Sequence, residues 1–444
     1  MEEKNRIRCK KLLSDVLDKL LLMEYNYNEF QLHTLKKMEE ILKKKEIFVI
    51  DRTIKEIIKE NDLEKKQNII DNLLKFNYDN KPLSFYMDLF LEKGKLKVTK
   101  KGNIDIIEEI YRNLPWVDFY KKSQELNISN YTKNLFTLYE SFYSELAKTT
   151  YSLYPEKFLD DKSISLNELN KLKFDYDAVL ENLIELNTKN LTNQSTKLKD
   201  VCETLKIDYN IFSHISDSFD EIYYRRNILT HGNGQISNDY KKYVKPNLQK
   251  KFVKENKIIF TKDYSNFLYE TITIIIFQLF INSIYREEVK DNDIEIIENC
   301  VFDTFFTRKQ WVISKCIYNY LRKLSFSEDC GYSVIFNINY MCCLKELGEI
   351  DELKKQLKRF NVSNMSKRFK VVKKLLSDDY TNINEEIESV YSGTKIKKEY
   401  FDTQAILKWP IFRWYIKTEN FKSFKEKHKK DFEQYFPSTD EENC

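Results

Sequence analysis

Along most of the chain, apolar positions recur every three or four residues, the period of helices with one buried face. Between Tyr131 and Leu146 the set Leu135, Leu138, Tyr139, Phe142 and Leu146 predicts a long amphipathic helix. Pro155 breaks the pattern, Ser165 is placed to cap a helix through LNELNKL, and DYDAVLENLIELNTKNL predicts the next one. The stretch DSFDEIYYRRNILTH reads as a helix with a capping aspartate or serine and an apolar face of Phe219, Ile222, Tyr223 and Leu229. Gly232 and Gly234 supply its stop. The run TITIIIFQLFINSIY is apolar on every side, which predicts a helix buried all round. At this length, and with Gln278 and Asn282 in it, the run is too short to span a bilayer.

The helical rhythm breaks once, in LFLEKGKLKVTKKGNIDIIEEIY, where two short runs flank a Lys/Gly turn. This predicts a β-hairpin, either of a winged-helix kind or simply packed on helices, and no function is assigned to it. After about residue 290 come helix pairs, in WVISKCIYNYLRKL and in VIFNINYMCCLKELGEIDELKKQLKRF. NYMCCLKELGEIDEL, turning at Gly348, resembles a tetratricopeptide hairpin, and the region is read as an α-helical array. Three domains are expected: 1–122, helical with the hairpin; 123–290, a helical bundle; and 291–444, the array.

Composition supports a mostly α class. Only 7 Gly and 6 Pro punctuate 444 residues, too few for a barrel or sandwich of many tight turns. Abundant Lys, Asn, Ile, Tyr and Phe with almost no Ala point to AT-rich coding, so lysine must be judged locally. Globally, 74 basic against 70 acidic residues give +4, which identifies no partner. Eight cysteines are scattered without a CxxC pair or zinc spacing, so no metal and no cofactor is expected. Asp15 and Asp18 interrupt the N-terminal apolar run, which argues against a secretory leader and for a cytoplasmic protein with no membrane partner.

One constellation carries chemistry. Of the four histidines only His231 follows an arginine by five residues, in Arg226-Asn227-Ile228-Leu229-Thr230-His231. Asn227 and His231 are four apart, hence stacked on one helix face. Arg226 is rooted elsewhere, but its planar guanidinium is long enough to swing toward the same point and suits bidentate contact with phosphate. His231 lies at the negative end of the helix dipole, a setting that suits a general acid. Together these groups fit transesterification within RNA, with the 2′-oxygen attacking phosphorus. One imidazole cannot be base and acid at once, so a two-fold dimer apposing two motifs is expected.

An arginine, a polar residue and a histidine four to six positions beyond the arginine make up the signature of the HEPN family, which this region resembles. The similarity extends to YESFYSELAKTTYSLYPEKFLDDKSISLNEL, which resembles the first helix and loop of a HEPN subgroup in prokaryotic defence proteins, and to RRNILTHGNGQISNDY. It covers about residues 128–290. The resemblance implies a HEPN helical bundle and metal-independent RNA cleavage by a homodimer acting as a toxin or an antiviral, abortive-infection effector. It also suggests a supporting role for Glu140, and an antitoxin or a phage-derived trigger is a candidate partner that the sequence leaves open. By periodicity alone Glu140 lies at the border of the apolar face.

The connector from Lys241 to Lys262 holds eight lysines against one glutamate; Lys241, Lys242, Lys245, Lys250 and Lys251 are the candidate RNA contacts. Lys354 to Lys374, a second basic stretch and one without acids, is read as a solvated helix face, and Trp409 and Trp414 as packing residues. The alternative from another class is a non-catalytic helical scaffold that binds RNA or protein and uses the motif helix for dimerisation.

Overall fold

The computed structural model describes residues 2–435, apart from 43–44, 79–80, 86, 93–94, 102–105, 161, 190, 192–195, 233, 286–290, 325–331, 396 and 398–399. The chain is mostly helical, as its periodicity predicts. Two long helices, α1 (Glu2–Leu42) and α4 (Ile106–Leu153), pack along one another. α1 contributes Cys9, Leu13, Val16, Leu17 and Leu20 at helical spacing, and α4 contributes Tyr131, Leu135, Leu138 and Phe142, all buried in one core. Tyr27 of α1 stacks on Tyr131 at 4.3 Å. The expected boundary at 122 falls inside α4, which runs through it unbroken, and α1 belongs to the central core rather than to a separate unit. An amphipathic pattern announces a buried face without naming the surface that covers it.

Between these helices lies a small unit with its own core. α2 (Lys45–Lys59), α3 (Leu63–Leu74), the two-residue strands β1 (Asn77–Tyr78) and β2 (Lys81–Pro82), and the strands β3 (Met87–Glu92) and β4 (Lys95–Lys100) follow in order. Ile50, Ile57, Ile70, Leu73, Leu83, Met87 and Leu89 bury one another. The hairpin expected from the sequence is present, antiparallel, with Leu89 opposite Val98 and Leu91 opposite Leu96. Its Lys93-Gly94 turn lies outside the described residues.

After α4 come α5 (Pro155–Phe158), α6 (Leu166–Lys171), α7 (Tyr176–Thr188) and α8 (Leu198–Thr204). Ser165 caps α6 as predicted: its hydroxyl accepts from the Glu168 backbone N–H at 3.3 Å while the Glu168 carboxylate accepts from the Ser165 backbone N–H at 3.1 Å. Next are α9 (Ser216–His231), α10 (Asn238–Tyr243), α11 (Pro246–Phe252), the short pair β5 (Val253–Lys254) and β6 (Lys257–Ile258), and α12 (Lys262–Ile284). α12 carries the all-round apolar run and is buried along nearly its whole length, in contact with α1, α4, α9 and the later helix Trp311–Leu321. At 23 residues it is longer than the apolar run alone suggests, and by length and composition it could cross a membrane; among the described residues it is the only such helix, and it forms the core of this protein.

The C-terminal part comprises α13 (Asp291–Val301), α14 (Trp311–Leu321), α15 (Tyr332–Glu346), α16 (Ile350–Arg359) and α17 (Lys367–Leu376). Gly348, at a left-handed φ of 72°, turns α15 into α16 where the sequence places the hairpin. Beyond it, α18 (Ile383–Glu388), α19 (Thr403–Lys408), α20 (Glu419–Lys427) and α21 (Lys429–Glu433) are short; two 3₁₀ turns, Pro410–Phe412 and Tyr415–Lys417, join α19 to α20, and Phe401, Trp409, Phe412 and Tyr415 pack ring on ring. One buried cluster runs from Cys9 to Phe432, so no separate core begins at 291. Cys202, Cys300, Cys316, Cys342 and Cys343 are free thiols, while Cys330 and Cys444 lie outside the described residues.

Candidate active site

α9 is the element on which the site depends. Asp217 in its first turn suits the positive end of the dipole, but the residue before the helix is Ile215, which makes no side-chain cap; the aspartate or serine cap expected from the sequence does not form. Phe219 and Ile222 enter the central core, while Tyr224 and Ile228 face the connector. At the far end the Gly232 N–H donates to the Ile228 carbonyl at 2.7 Å. Gly232 itself is not left-handed (φ −124°); a Cβ there would sit 3.1 Å from that carbonyl oxygen, a tight contact that its absence avoids. The left-handed residue is Gly234, at φ 81°, and Asn233 lies outside the described residues.

Arg225 is fully buried and holds α9 against the connector. Its Nε donates to Glu221 Oε1 at 2.8 Å, Nη1 to the Ile259 carbonyl at 2.9 Å and Nη2 to the Phe252 carbonyl at 3.1 Å. The guanidinium lies 3.7 Å from the centre of the Tyr264 ring, and the Tyr240 hydroxyl donates to the same Glu221 oxygen at 2.8 Å. A buried charge persists only with this density of partners. Tyr240, Val244 and Ile258 then close a small core with Tyr224 and Ile228.

Arg226 turns the other way. Its Nη2 donates to both carboxylate oxygens of Glu140, at 3.1 and 3.2 Å, and its Nη1 to Asn227 Oδ1 at 3.2 Å. Glu140 stands on α4, 86 positions earlier, and also accepts from the Thr196 hydroxyl at 3.2 Å. Phe136, one turn before Glu140, places its ring 5.2 Å from the guanidinium. A guanidinium carries five N–H donors, and these contacts leave several for an incoming phosphate. His231 lies one turn beyond Asn227 with an exposed ring that makes no described hydrogen bond. Arg226, Asn227 and Glu140 therefore form one cluster, and His231 borders it.

The candidate lysines Lys241, Lys242, Lys245, Lys250 and Lys251 are all exposed. Lys245 lies 3.9 Å from Asp217, in the first turn of α9. By helix rise, that turn is about 20 Å from His231, so Lys245 approaches the opposite end of α9 from the histidine, while Lys242 lies 4.9 Å from the Tyr243 ring. Between the two ends lies a group the sequence reading did not single out. Tyr224 and Tyr243 stack with ring centres 5.2 Å apart and planes 6° from parallel, and Lys197 sits 5.4 Å from each and 5.7 Å from Tyr223. The Tyr224 hydroxyl beside Lys197 holds its ammonium above the usual range. Burial, reinforced by Asp217, pushes the Asp220 carboxyl up to about 6 against the pull of Lys197 and Lys245. Lys197 is remote in sequence from α10, which is why spacing alone did not reveal it.

Three clefts, of about 410, 840 and 390 Å³, lie between α1 and α4, between α1, α4 and the start of α12, and among α13, α15, α17 and α19; none is lined by Arg226, Asn227 or His231. The other histidines are elsewhere: His33 is exposed, His214 meets Gln278 at 3.4 Å, and His428 packs on Tyr391 and Phe424. Among the described residues no three His, Cys, Asp or Glu side chains form a metal-binding group. Comparison of the chain with family models, with curated proteins and with solved structures finds no match.

Proposed function

We propose that this protein is a metal-independent RNA endonuclease of the HEPN kind, working as a homodimer in which two copies of α9 share one cleft. The observation that carries the reading is the Arg226–Asn227–Glu140 cluster, gathered from two helices and bordered by the free imidazole of His231. In the reaction one His231 takes the proton of the 2′-OH as its oxygen attacks phosphorus, and the other delivers a proton to the departing 5′-oxygen. Arg226 balances the charge that builds on the phosphoryl oxygens, and Glu140 and Asn227 hold its plane in place. The products are a 2′,3′-cyclic phosphate and a 5′-hydroxyl. Lys241, Lys242, Lys245, Lys250 and Lys251 follow the strand backbone along α9, and a toxin or antiviral effector released by a trigger or loss of an antitoxin is the role such an activity fits.

A second reading, a non-catalytic scaffold, draws on the carboxylate that already neutralises Arg226. One experiment separates the two. The purified chain and its His231→Ala variant are incubated with total RNA in EDTA and fragment ends are analysed. Cutting by the wild type alone, leaving cyclic phosphate and 5′-hydroxyl ends, is expected. Activity that survives the substitution, or that EDTA abolishes, rejects the proposed site.

A further inference from the structure

Residues 45–101 are not used by the proposed chemistry, yet they form a unit with its own core. α2 and α3 are joined by only three residues, Glu60, Asn61 and Asp62. The turn is fastened at both sides: Glu60 accepts from the N–H groups of Asn61 and Asp62 at 2.8 and 3.0 Å, and Asp62 caps α3 by accepting from Glu64 and Lys65. Helix, short turn, second helix and then an antiparallel hairpin packed on that helix is the order of a winged helix-turn-helix.

The chemistry of the free surfaces matches that topology. α3 buries Ile70 and Leu73 and leaves Glu64, Gln67, Asn68, Asp71 and Asn72 exposed at positions i, i+3, i+4, i+7 and i+8, a single polar face. Amide side chains pair with the edge of adenine, and carboxylates accept from cytosine, in a major groove. The hairpin holds lysines for the backbone beside it: Lys95, Lys97 and Lys101 are exposed, and 95–101 contains no acid. Lys97 reaches Glu92 at 3.4 Å and Lys101 pairs with Asp88, but exposed pairs of this kind contribute little and yield to phosphate. A helix enters the wide major groove of B-form DNA and not the deep, narrow one of A-form RNA.

From this we infer that residues 45–101 bind duplex DNA, with α3 in the major groove and the β3–β4 hairpin on the flanking phosphates. The site is separate from α9 and does not rest on the ribonuclease proposal. Fluorescence anisotropy with the full chain and a mixed-sequence DNA duplex, from about 50 to about 200 mM salt, tests it. The wild type binds, and the Lys95→Ala/Lys97→Ala variant binds more weakly, with a slope of log K against log salt smaller by about 2. Gln67→Ala/Asn68→Ala narrows the difference between tight and weak sequences selected from the pool, and leaves the salt slope unchanged. All four side chains are exposed, so circular dichroism of both variants matches the wild type. Absence of duplex binding at low salt overturns the inference. So does equal affinity for duplex RNA, or binding insensitive to the hairpin variant and lost on Lys241→Ala/Lys242→Ala.

Discussion

Arg225 and Arg226 are adjacent on α9; the first has none of its side chain exposed, and the second keeps 28% of its side chain at the surface. Both are paired with a glutamate. Glu221 sits one turn before Arg225 on the same helix and is as buried as its partner, while Glu140 comes to Arg226 from α4. The inner arginine spends its donors on one carboxylate and two backbone carbonyls and is closed to any ligand. The outer one keeps donors and an open side. The difference is between a charge that positions a helix and a charge that can meet a substrate, and about 100° of helical rotation separates the two.

The sharpest way to break this comparison is to truncate each arginine. Arg225→Ala leaves Glu221 buried without its cation and lowers unfolding free energy by about 3–5 kcal/mol in urea titration. Arg226→Ala costs at most about 1 kcal/mol, because its pair is partly exposed, yet lowers RNA cleavage by about 100-fold or more. Equal stability losses for the two would remove the distinction drawn between them. His231→Ala lowers cleavage by about 100- to 10,000-fold with no change in melting temperature.

A buried carboxylate without a cation extends the contrast. Burial pushes Glu298 up to about 8, against hydrogen bonds from the Tyr318 hydroxyl at 3.3 Å and the Asn339 amide at 2.9 Å. Since the ordinary value is 4.5, the folded chain keeps a proton that the unfolded chain releases. Stability from this group is full below about 4.5, falls as pH rises toward about 8 and is gone above it. Glu298→Gln is therefore expected to flatten that decline in thermal melts between these pH values, and an unchanged slope would place the charge elsewhere. The smallest effect concerns the lysines proposed to hold the RNA strand. Lys241→Ala/Lys242→Ala raises KM, leaves kcat nearly unchanged, and lowers the salt dependence of single-stranded RNA binding by about 1.4 in slope.

Much of the local structure was legible in the chain. The capping box at Ser165 and Glu168, the hairpin around 87–100, the turn at Gly348 and the helix ending at His231 all follow from short-range rules. The missed cap at Ile215 shows the limit of such rules, since Phe219 and Ile222 anchor the helix start through packing. Glu221 lies four residues before Arg225, a pairing that helical spacing permits, but spacing does not tell that the pair is buried.

By itself, then, the sequence determined which segments are helical, that α12 is buried, and which helix carries arginine, amide and imidazole together, because helical period and capping act over a few residues. Only the tertiary structure decided that α1 joins the central core, that the helix through residue 122 is unbroken, that Glu140 and Thr196 meet Arg226, and that Lys197 lies against the stacked tyrosines. Apart from the continuity of α4, each of these joins residues tens to hundreds of positions apart. A buried face specifies that it must be covered, and the covering partner is settled by how all such faces pack together.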